Sequence, residues 1–366
     1  MRNTIKSRMM PKQRLLCKLT NCHAQKRVLP HNIYPNLTFR QVNKRIIMTK
    51  KLCIATLLLA FMLPVMAQTG NALRDTVIPQ TYEYTVRGGR ALQMDVYLPT
   101  VPRPDSACVL YVFGGGFVTG SRTDALVRQY CQELAARGFT AIAIDYRLHL
   151  REINTDTIRL GNMQSIFRTA INIAATDVAA AVDYLYRHAD EWGVSRDAIV
   201  LCGSSAGAIS VLQTDYCRAN GLRPAAELPP DWSPAAVVAY SGAVFADGSP
   251  KYAMPPAPTF FLHGKHDRIV HFRKFPPILR SGTYGPKRLR KVFARGDHPY
   301  WFFRYEDVGH EIASMHLYTL PEFIAFVDAT LEGRLMRYEA SCRDTRIVPT
   351  KWTKMNVFQL YQGKER

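Results

Sequence analysis

Acidic side chains are absent from the first 51 residues, a stretch that holds thirteen of the chain's 48 Lys and Arg. Over the remaining 315 positions 35 basic residues face 29 acidic ones. The net charge of +19 therefore belongs mostly to a leader, and it gives no footing for a nucleic-acid partner. Internal repeats and low-complexity tracts are missing, which excludes solenoids and biased linkers. Cysteine is scarce: of eight, five follow Ala67 (Cys108, Cys131, Cys202, Cys217 and Cys342). Their number is odd and their spacing fits no metal motif, so neither a disulfide framework nor a zinc site is read from them, and any pairing stays open. A hydrophobic content of 47% over 366 residues excludes disorder and suffices for a large buried core.

The front of the chain carries a different signal. Lys50 and Lys51 precede an apolar run from Leu52 to Met66, which ends in Val65-Met66-Ala67 before Gln68. Basic start, short apolar centre and small-residue exit are the parts of a secretory signal cut after about Ala67. The run is marginal for a ~30 Å hydrocarbon core, so no membrane span is expected in the mature form. Met48 stands where the initiator of such a signal would be. Residues 1–47 are accordingly expected to be an upstream mis-start or basic leader, 48–67 a signal peptide, 68–335 a catalytic domain and 336–366 a polar, basic tail. The expected location is secreted or periplasmic.

From Thr81 onward short apolar runs alternate with helical patterns, the rhythm of an α/β protein with a mostly parallel central sheet and helices on both faces. Strands are expected at Tyr82–Val86, Leu92–Leu98, Ala107–Phe113, Phe139–Ile144, Ala198–Cys202, Ala235–Tyr240, Thr259–Leu262 and Tyr300–Tyr305. Helices are expected at Thr123–Arg137, Ile166–Ala189, Ala206–Cys217 and Leu317–Leu331. Two segments, Leu150–Ser165 and Ser281–His298, read as long loops, and Asn154–Ser165 is placed to cover a site.

The chemistry centres on Gly203-Ser204-Ser205-Ala206-Gly207, which joins the strand Ala198–Cys202 to a helix. A turn that sharp needs flanking residues without bulk, and it lifts the Ser205 hydroxyl above the sheet edge. The alternative, a glycine-rich phosphate cradle, lacks a Lys-Ser/Thr pair and an acidic partner for ribose. Phe113-Gly114-Gly115-Gly116-Phe117 follows a buried strand and offers backbone without side chains. The Gly115 and Gly116 amides, with that of Ala206 at a helix start, are the candidate oxyanion donors. A serine becomes a nucleophile only beside a neutral imidazole, so activity is expected to rise between about pH 6 and 8. His310, in Val308-Gly309-His310-Glu311 between the last strand and last helix, is the candidate base; His188, His271, His298 and His316 read as surface or capping residues. Asp267, in the loop after Thr259–Leu262, is the candidate orienting carboxylate, with Asp297, Glu306 and Asp307 as competitors. The chain order Ser205, Asp267, His310 is that of one fold among those that use such triads.

These residues carry a resemblance. The region from Tyr82 to Leu331 resembles the α/β-hydrolase fold, within it the esterase and lipase group related to hormone-sensitive lipase and the carboxylesterases. FGGGFVTGS at 113–121 is similar to that group's HGGG loop, Asp145-Tyr146-Arg147-Leu148 to its D-Y-R-L strand end, and GSSAG at 203–207 to its elbow. HGKHDRIV at 263–270 is similar to its acid loop, and GHE at 309–311 to its histidine loop. Phe113 stands where the group has a histidine that braces the oxyanion loop, and Ala208 where many relatives have a second glycine. The resemblance implies that Asp145 is structural. It implies a secreted serine esterase that cleaves carboxylic esters through an acyl-enzyme, acting on short-chain acyl or acetyl esters, carbohydrate esters included. No cofactor and no metal are implied, and the oligomeric state is left open. A serine peptidase of the prolyl-oligopeptidase type is disfavoured by Ala206 after the nucleophile, where those enzymes usually have Tyr. A catalytically inactive binding module is disfavoured by the retention of both serine and histidine.

Overall fold

Five strands of the central sheet are buried from end to end, which requires cover on both faces. The structure, a computed structural model, describes residues 77–154 and 157–362. Residues 1–47 and the signal segment 48–67 lie outside the described residues. In chain order the strands are β1 (Gln80–Arg87), β2 (Arg90–Tyr97), β3 (Cys108–Val112), β4 (Thr140–Ile144), β5 (Ile199–Ser204) and β6 (Ala236–Tyr240). They continue with β7 (Val244–Asp247), β8 (Thr259–Gly264), β9 (Lys274–Phe275), β10 (Ser281–Tyr284), β11 (Tyr300–Tyr305) and β12 (Tyr338–Cys342). The helices are α1 (Ala125–Ala135), α2 (Leu160–Arg187), α3 (Ala206–Ala219), α4 (Pro286–Arg295), α5 (Leu320–Leu331), α6 (Lys351–Lys354) and α7 (Val357–Gln362).

Nine strands form one sheet in the order β1-β2-β4-β3-β5-β6-β8-β11-β12. β1 and β2 are an antiparallel hairpin, closed by Gly88 and Gly89 at φ 57° and 74°, values a two-glycine hairpin turn supplies without strain. β2 joins β4 antiparallel, and from β4 to β12 every pairing is parallel. This is the mostly parallel sheet expected above. The long helix α2 is apolar enough to cross a membrane by length and composition. Its apolar stripe is instead buried in the core, through Ile171, Ala174, Val178, Ala181 and Leu185 at helical spacing.

The two segments read as long loops are largely structured. Ser281–His298 contains β10 and α4. The helix was hidden because Leu289 and Phe293, its buried i, i+4 pair, sit among five basic side chains in PKRLRKVFAR. Within Leu150–Ser165 a short 3₁₀ turn, His149–Glu152, ends the first part, and α2 starts at Leu160, six residues before the expected Ile166. The Asn162 side chain accepts from the Arg159 amide at that start. β7, β10 and β9 form a second, antiparallel sheet. Thr283 pairs with both Phe245 and Phe275, so these three share one face. The segment 336–366, set apart above as a tail, adds β12 as an edge strand parallel to β11 and continues into α6 and α7.

The five cysteines after Ala67 are free thiols. Burial pushes the Cys202 thiol up to about 12 and that of Cys217 equally, as expected of cysteines acting as small core hydrophobes.

His316, expected at the surface, is 2% exposed. Its ring lies among those of Tyr111, Tyr130 and Tyr240, with centroids 4.7–6.0 Å away, and neither ring nitrogen has a well-formed hydrogen bond. A lone histidine just before a helical pattern carries no periodic mark of burial. Burial holds its pKa down at about 4, against a smaller opposing pull from the backbone at Leu126 and Ala313. The unfolded chain therefore takes up this proton first as pH falls from the ordinary value near 6.5. Stability is lost between about pH 6.5 and 4, by about 3 kcal/mol for this one group. In denaturant titrations at pH 7 and pH 4.5, His316→Phe is expected to lose much less stability on acidification than the wild type; equal losses would show that this ring does not titrate as described.

Candidate active site

The elbow after β5 is shaped by close contacts between backbones. A Cβ on Gly203 would lie 2.5 Å from the Gly207 carbonyl, and one on Gly207 would lie 2.0 Å from the Val112 oxygen of β3. Only glycine at both positions lets α3 start directly against the sheet. Ser205, between them, has φ 52° and ψ −116°, a left-handed conformation that costs a serine of order 1–3 kcal/mol. Its amide donates to the Tyr240 carbonyl at 2.8 Å, which ties the strained residue to β6. The hydroxyl then stands at the carboxyl end of the parallel strands, where open α/β sheets place their ligands.

β8 and β11 are parallel neighbours, so the loops that follow them emerge side by side. They are stitched by the Lys265 amide to Tyr305 O (2.8 Å) and the His266 amide to Val308 O (3.1 Å). Gly264 is again required by packing, since a Cβ there would come within 2.0 Å of Gly309 O. These loops carry Asp267 and His310. His310 Nδ1 is 2.8 Å from Asp267 Oδ2, and His310 Nε2 is 2.8 Å from Ser205 Oγ. A carboxylate only accepts, so it fixes the proton on Nδ1 and leaves Nε2 to accept from the serine hydroxyl. Ser205, Asp267 and His310 thus form one hydrogen-bonded chain. The competing carboxylates lie elsewhere: Glu306 is tied to Lys265 and Arg304, Asp307 faces Arg343, and Asp297 faces Arg337.

Asp267 is buried, and burial alone would raise its pKa. The His310 and His263 rings, with the Ile269 and Val270 amides on Oδ1 (3.0 and 2.9 Å), hold it below the usual carboxylate range. It therefore remains an anion near neutral pH. His263, 1% exposed, lies 3.4 Å from Asp267 Oδ2 and donates from Nε2 to Val270 O at 2.8 Å. Burial depresses its pKa, so it is a neutral wall of the carboxylate's pocket.

The glycine loop runs past the elbow. A Cβ on Gly114 would be 3.1 Å from the Ser205 Cβ. Gly115 and Gly116 have φ 119° and 63°. Among the described residues no backbone carbonyl accepts from either amide. Ala206 is the first residue of α3, and its amide is one of the helix's orphan donors. Phe113, in place of a bracing histidine, packs its ring on Tyr146 (4.7 Å between centroids), and the Tyr146 hydroxyl donates to the Phe113 carbonyl at 3.1 Å. The loop closes on itself through the Val118 and Thr119 amides, both donating to Gly115 O. Asp145 is engaged with Arg122, and Arg147 with the buried Asp177, so the Asp-Tyr-Arg segment serves as scaffold.

The hydroxyl of Ser205 faces a cavity of about 60 Å³. Met163, Phe167 and Ile171 of α2, Phe245 and Phe275 of the small sheet, and Leu360 of α7 form its apolar lining. It is well below the ~150 Å³ that accommodates benzene. Several contributors had no mark in the sequence reading. In the sequence Glu311 stands out only as part of GHE. Its buried carboxylate accepts from the Gly309 amide at 2.8 Å and from Thr350 and Thr353 in the C-terminal segment. Those partners lie 39 and 42 positions away, out of reach of any local pattern.

Residues 94–214 match the model of the BD-FAE family, an α/β-hydrolase-type esterase family. No curated protein matches the chain. Similar solved structures include an esterase of the planctomycete Thermogutta terrifontis. Its native form is 19% identical with a TM-score of 0.50, covering 71% of this chain and 95% of that one. The propionate-bound form is 18% identical, also at 0.50, covering 72% and 97%. The butyrate-bound form is likewise 18% identical at 0.50, covering 71% and 96%. At these identities the likeness establishes the fold, which is that of the α/β-hydrolases.

A fluorophosphonate probe reacts with a serine only when its hydroxyl is activated. It is expected to label Ser205 in the wild type, and Asp267→Asn is expected to slow labelling by on the order of 10⁴-fold while leaving circular dichroism unchanged. Equal labelling rates in the two proteins would remove Asp267 from the assignment.

Proposed function

We propose that this chain, with its α/β-hydrolase fold, is a secreted serine esterase that cleaves short-chain carboxylic esters through an acyl-enzyme. The observation that carries the reading is the continuous chain Asp267–His310–Ser205, two contacts of 2.8 Å ending on a strained serine at a strand–helix turn. Ser205 Oγ attacks the ester carbonyl as His310 Nε2 takes its proton. The tetrahedral oxyanion is met by the Gly115, Gly116 and Ala206 amides. His310 then returns the proton to the departing alcohol, leaving the acyl group on Ser205. Water, deprotonated by the same imidazole, releases the acid and restores the serine. Asp267 stays ionised throughout and stabilises the imidazolium. None of these steps needs a cofactor or a metal.

Two observations support a short acyl group. The cavity beyond Ser205 is small and apolar, and the similar esterase of Thermogutta terrifontis has been captured with propionate and with butyrate. Acetylated carbohydrate is one substrate class with so small an acyl group. Export rests on residues 48–67, with cleavage after about Ala67.

The test is hydrolysis of p-nitrophenyl acetate and butyrate by wild type and Ser205→Ala. A fall in kcat of about 10⁴-fold or more is expected, with the fold retained. Undiminished turnover in the alanine variant would refute the role of Ser205.

A further inference from the structure

The C-terminal segment touches three of the four loops that build the site. Arg268, next to Asp267, forms a parallel bridge with Asn356. Glu311, next to His310, receives the Thr350 amide (2.8 Å) and the Thr350 and Thr353 hydroxyls (2.7 Å each). Gly116 offers its carbonyl to the Tyr361 hydroxyl at 2.9 Å. The segment is anchored rather than draped. The Glu311 carboxylate is 6% exposed, and burial alone would raise its pKa. The threonine hydrogen bonds hold it down, so detaching the segment would leave a buried anion with the Gly309 amide but without its three strap donors. The edge strand β12 ties the start of the segment to β11.

The far end of the segment meets the cavity. Val357, Leu360 and Tyr361 line it. A Cβ on Gly116 would lie 3.2 Å from the Tyr361 hydroxyl and 3.6 Å from Leu360 Cδ2, so both side chains border the glycine loop. The Tyr361 ring also packs edge-on against Phe167 of α2, centroids 5.2 Å apart, which closes the wall between α7 and α2. Elsewhere the loop rests on Phe113, packed against Tyr146, and on hydrogen bonds from the Tyr146 hydroxyl to Phe113 O, the Leu150 amide to Phe117 O and Arg151 Nε to Val118 O.

We propose that the strap 350–361 is part of the active site: Leu360 is the stop that limits acyl length, and Tyr361 is a positioning residue that holds the oxyanion loop through the Gly116 carbonyl. This rests on the reading of Ser205 as the nucleophile, and the experiment separates the two. Leu360 is only half-buried, so its replacement spares the core. Leu360→Ala is expected to raise the octanoate-to-acetate ratio of kcat/KM on p-nitrophenyl esters at least tenfold. Leu360→Trp is expected to lower the butyrate-to-acetate ratio. Ratios within twofold of wild type in both variants would overturn the stop. A binding readout runs beside turnover: free octanoate is expected to raise the Tm of Leu360→Ala and not that of wild type, and equal shifts would also count against it.

Tyr361→Phe keeps the ring and removes the one hydroxyl. It is expected to lower kcat about tenfold with KM nearly unchanged, and to speed amide hydrogen exchange over residues 114–119 while leaving α1 as it was. Unchanged exchange in that loop would overturn the positioning role whatever the kinetics. A wild type that hydrolyses no ester would refute the esterase reading, and the Tm and exchange measurements would still decide the roles of Leu360 and Tyr361.

Discussion

The site depends on how closely α3 can approach the sheet. Gly203 and Gly207 face each other with no room for a Cβ, and Gly207 in addition faces the Val112 carbonyl of the neighbouring strand. With those contacts the chain leaves β5 and enters a helix in a single residue, and that residue is Ser205 at φ 52°. The conformational cost at Ser205 is met by the surrounding packing: its amide is bonded to β6, and Ala206 and Ala208 of the helix are buried against the sheet. The strain also does something for the chemistry. It aims the side chain away from the sheet edge and leaves the first helix amide unpaired beside it.

Placement of the other two residues follows from strand order. β8 and β11 are adjacent and parallel, so their outgoing loops run side by side, and the backbone bonds between them set Asp267 opposite His310. β6 lies between β5 and β8, so His310 must reach back across it towards Ser205. The histidine loop is fit for that reach because Glu311, immediately after His310, is held down by Gly309 and the two threonines of the strap. Two buried carboxylates thus carry the geometry, each saturated with donors: Asp267 from inside the machinery and Glu311 from behind it.

The parallel core could be read from the sequence because buried central strands show as unbroken apolar runs, as in Cys108–Val112 and Thr140–Ile144. The elbow was legible for a related reason: the small residues flanking a sharp strand–helix turn stand together in the sequence, although Gly207 answers as well to distant Val112 of β3. His310 and Asp267 could be singled out from their places after β11 and β8. What could not be read is what depends on distant contacts. Tyr361 and Gly116 are 245 positions apart, and neither has a neighbour that advertises the other. α4 was obscured by its own charges, and the start of α2 by a stretch, Leu160–Ser165, with too few apolar residues to show a period. His316 lies in a short connection, where burial leaves no periodic trace.

The departure at Phe113 shows how the loops share their support. A histidine at that position would brace the glycine loop from beneath with a polar bond; phenylalanine braces it by filling space against Tyr146, and Gly120 must be glycine to admit its ring, which would lie 2.6 Å from a Cβ there. Packing of this kind resists compression but does little against lifting. Against lifting, the loop is tied to the body by the Tyr146 hydroxyl, the Leu150 amide and Arg151, and on the strap's side the Tyr361 hydroxyl adds a bond to the Gly116 carbonyl. The glycine loop is therefore held between an aromatic floor from early in the chain and a strap from late in it. In the proposed mechanism its amides must hold a fixed aim, because electrostatic stabilisation by preorganised dipoles depends on it.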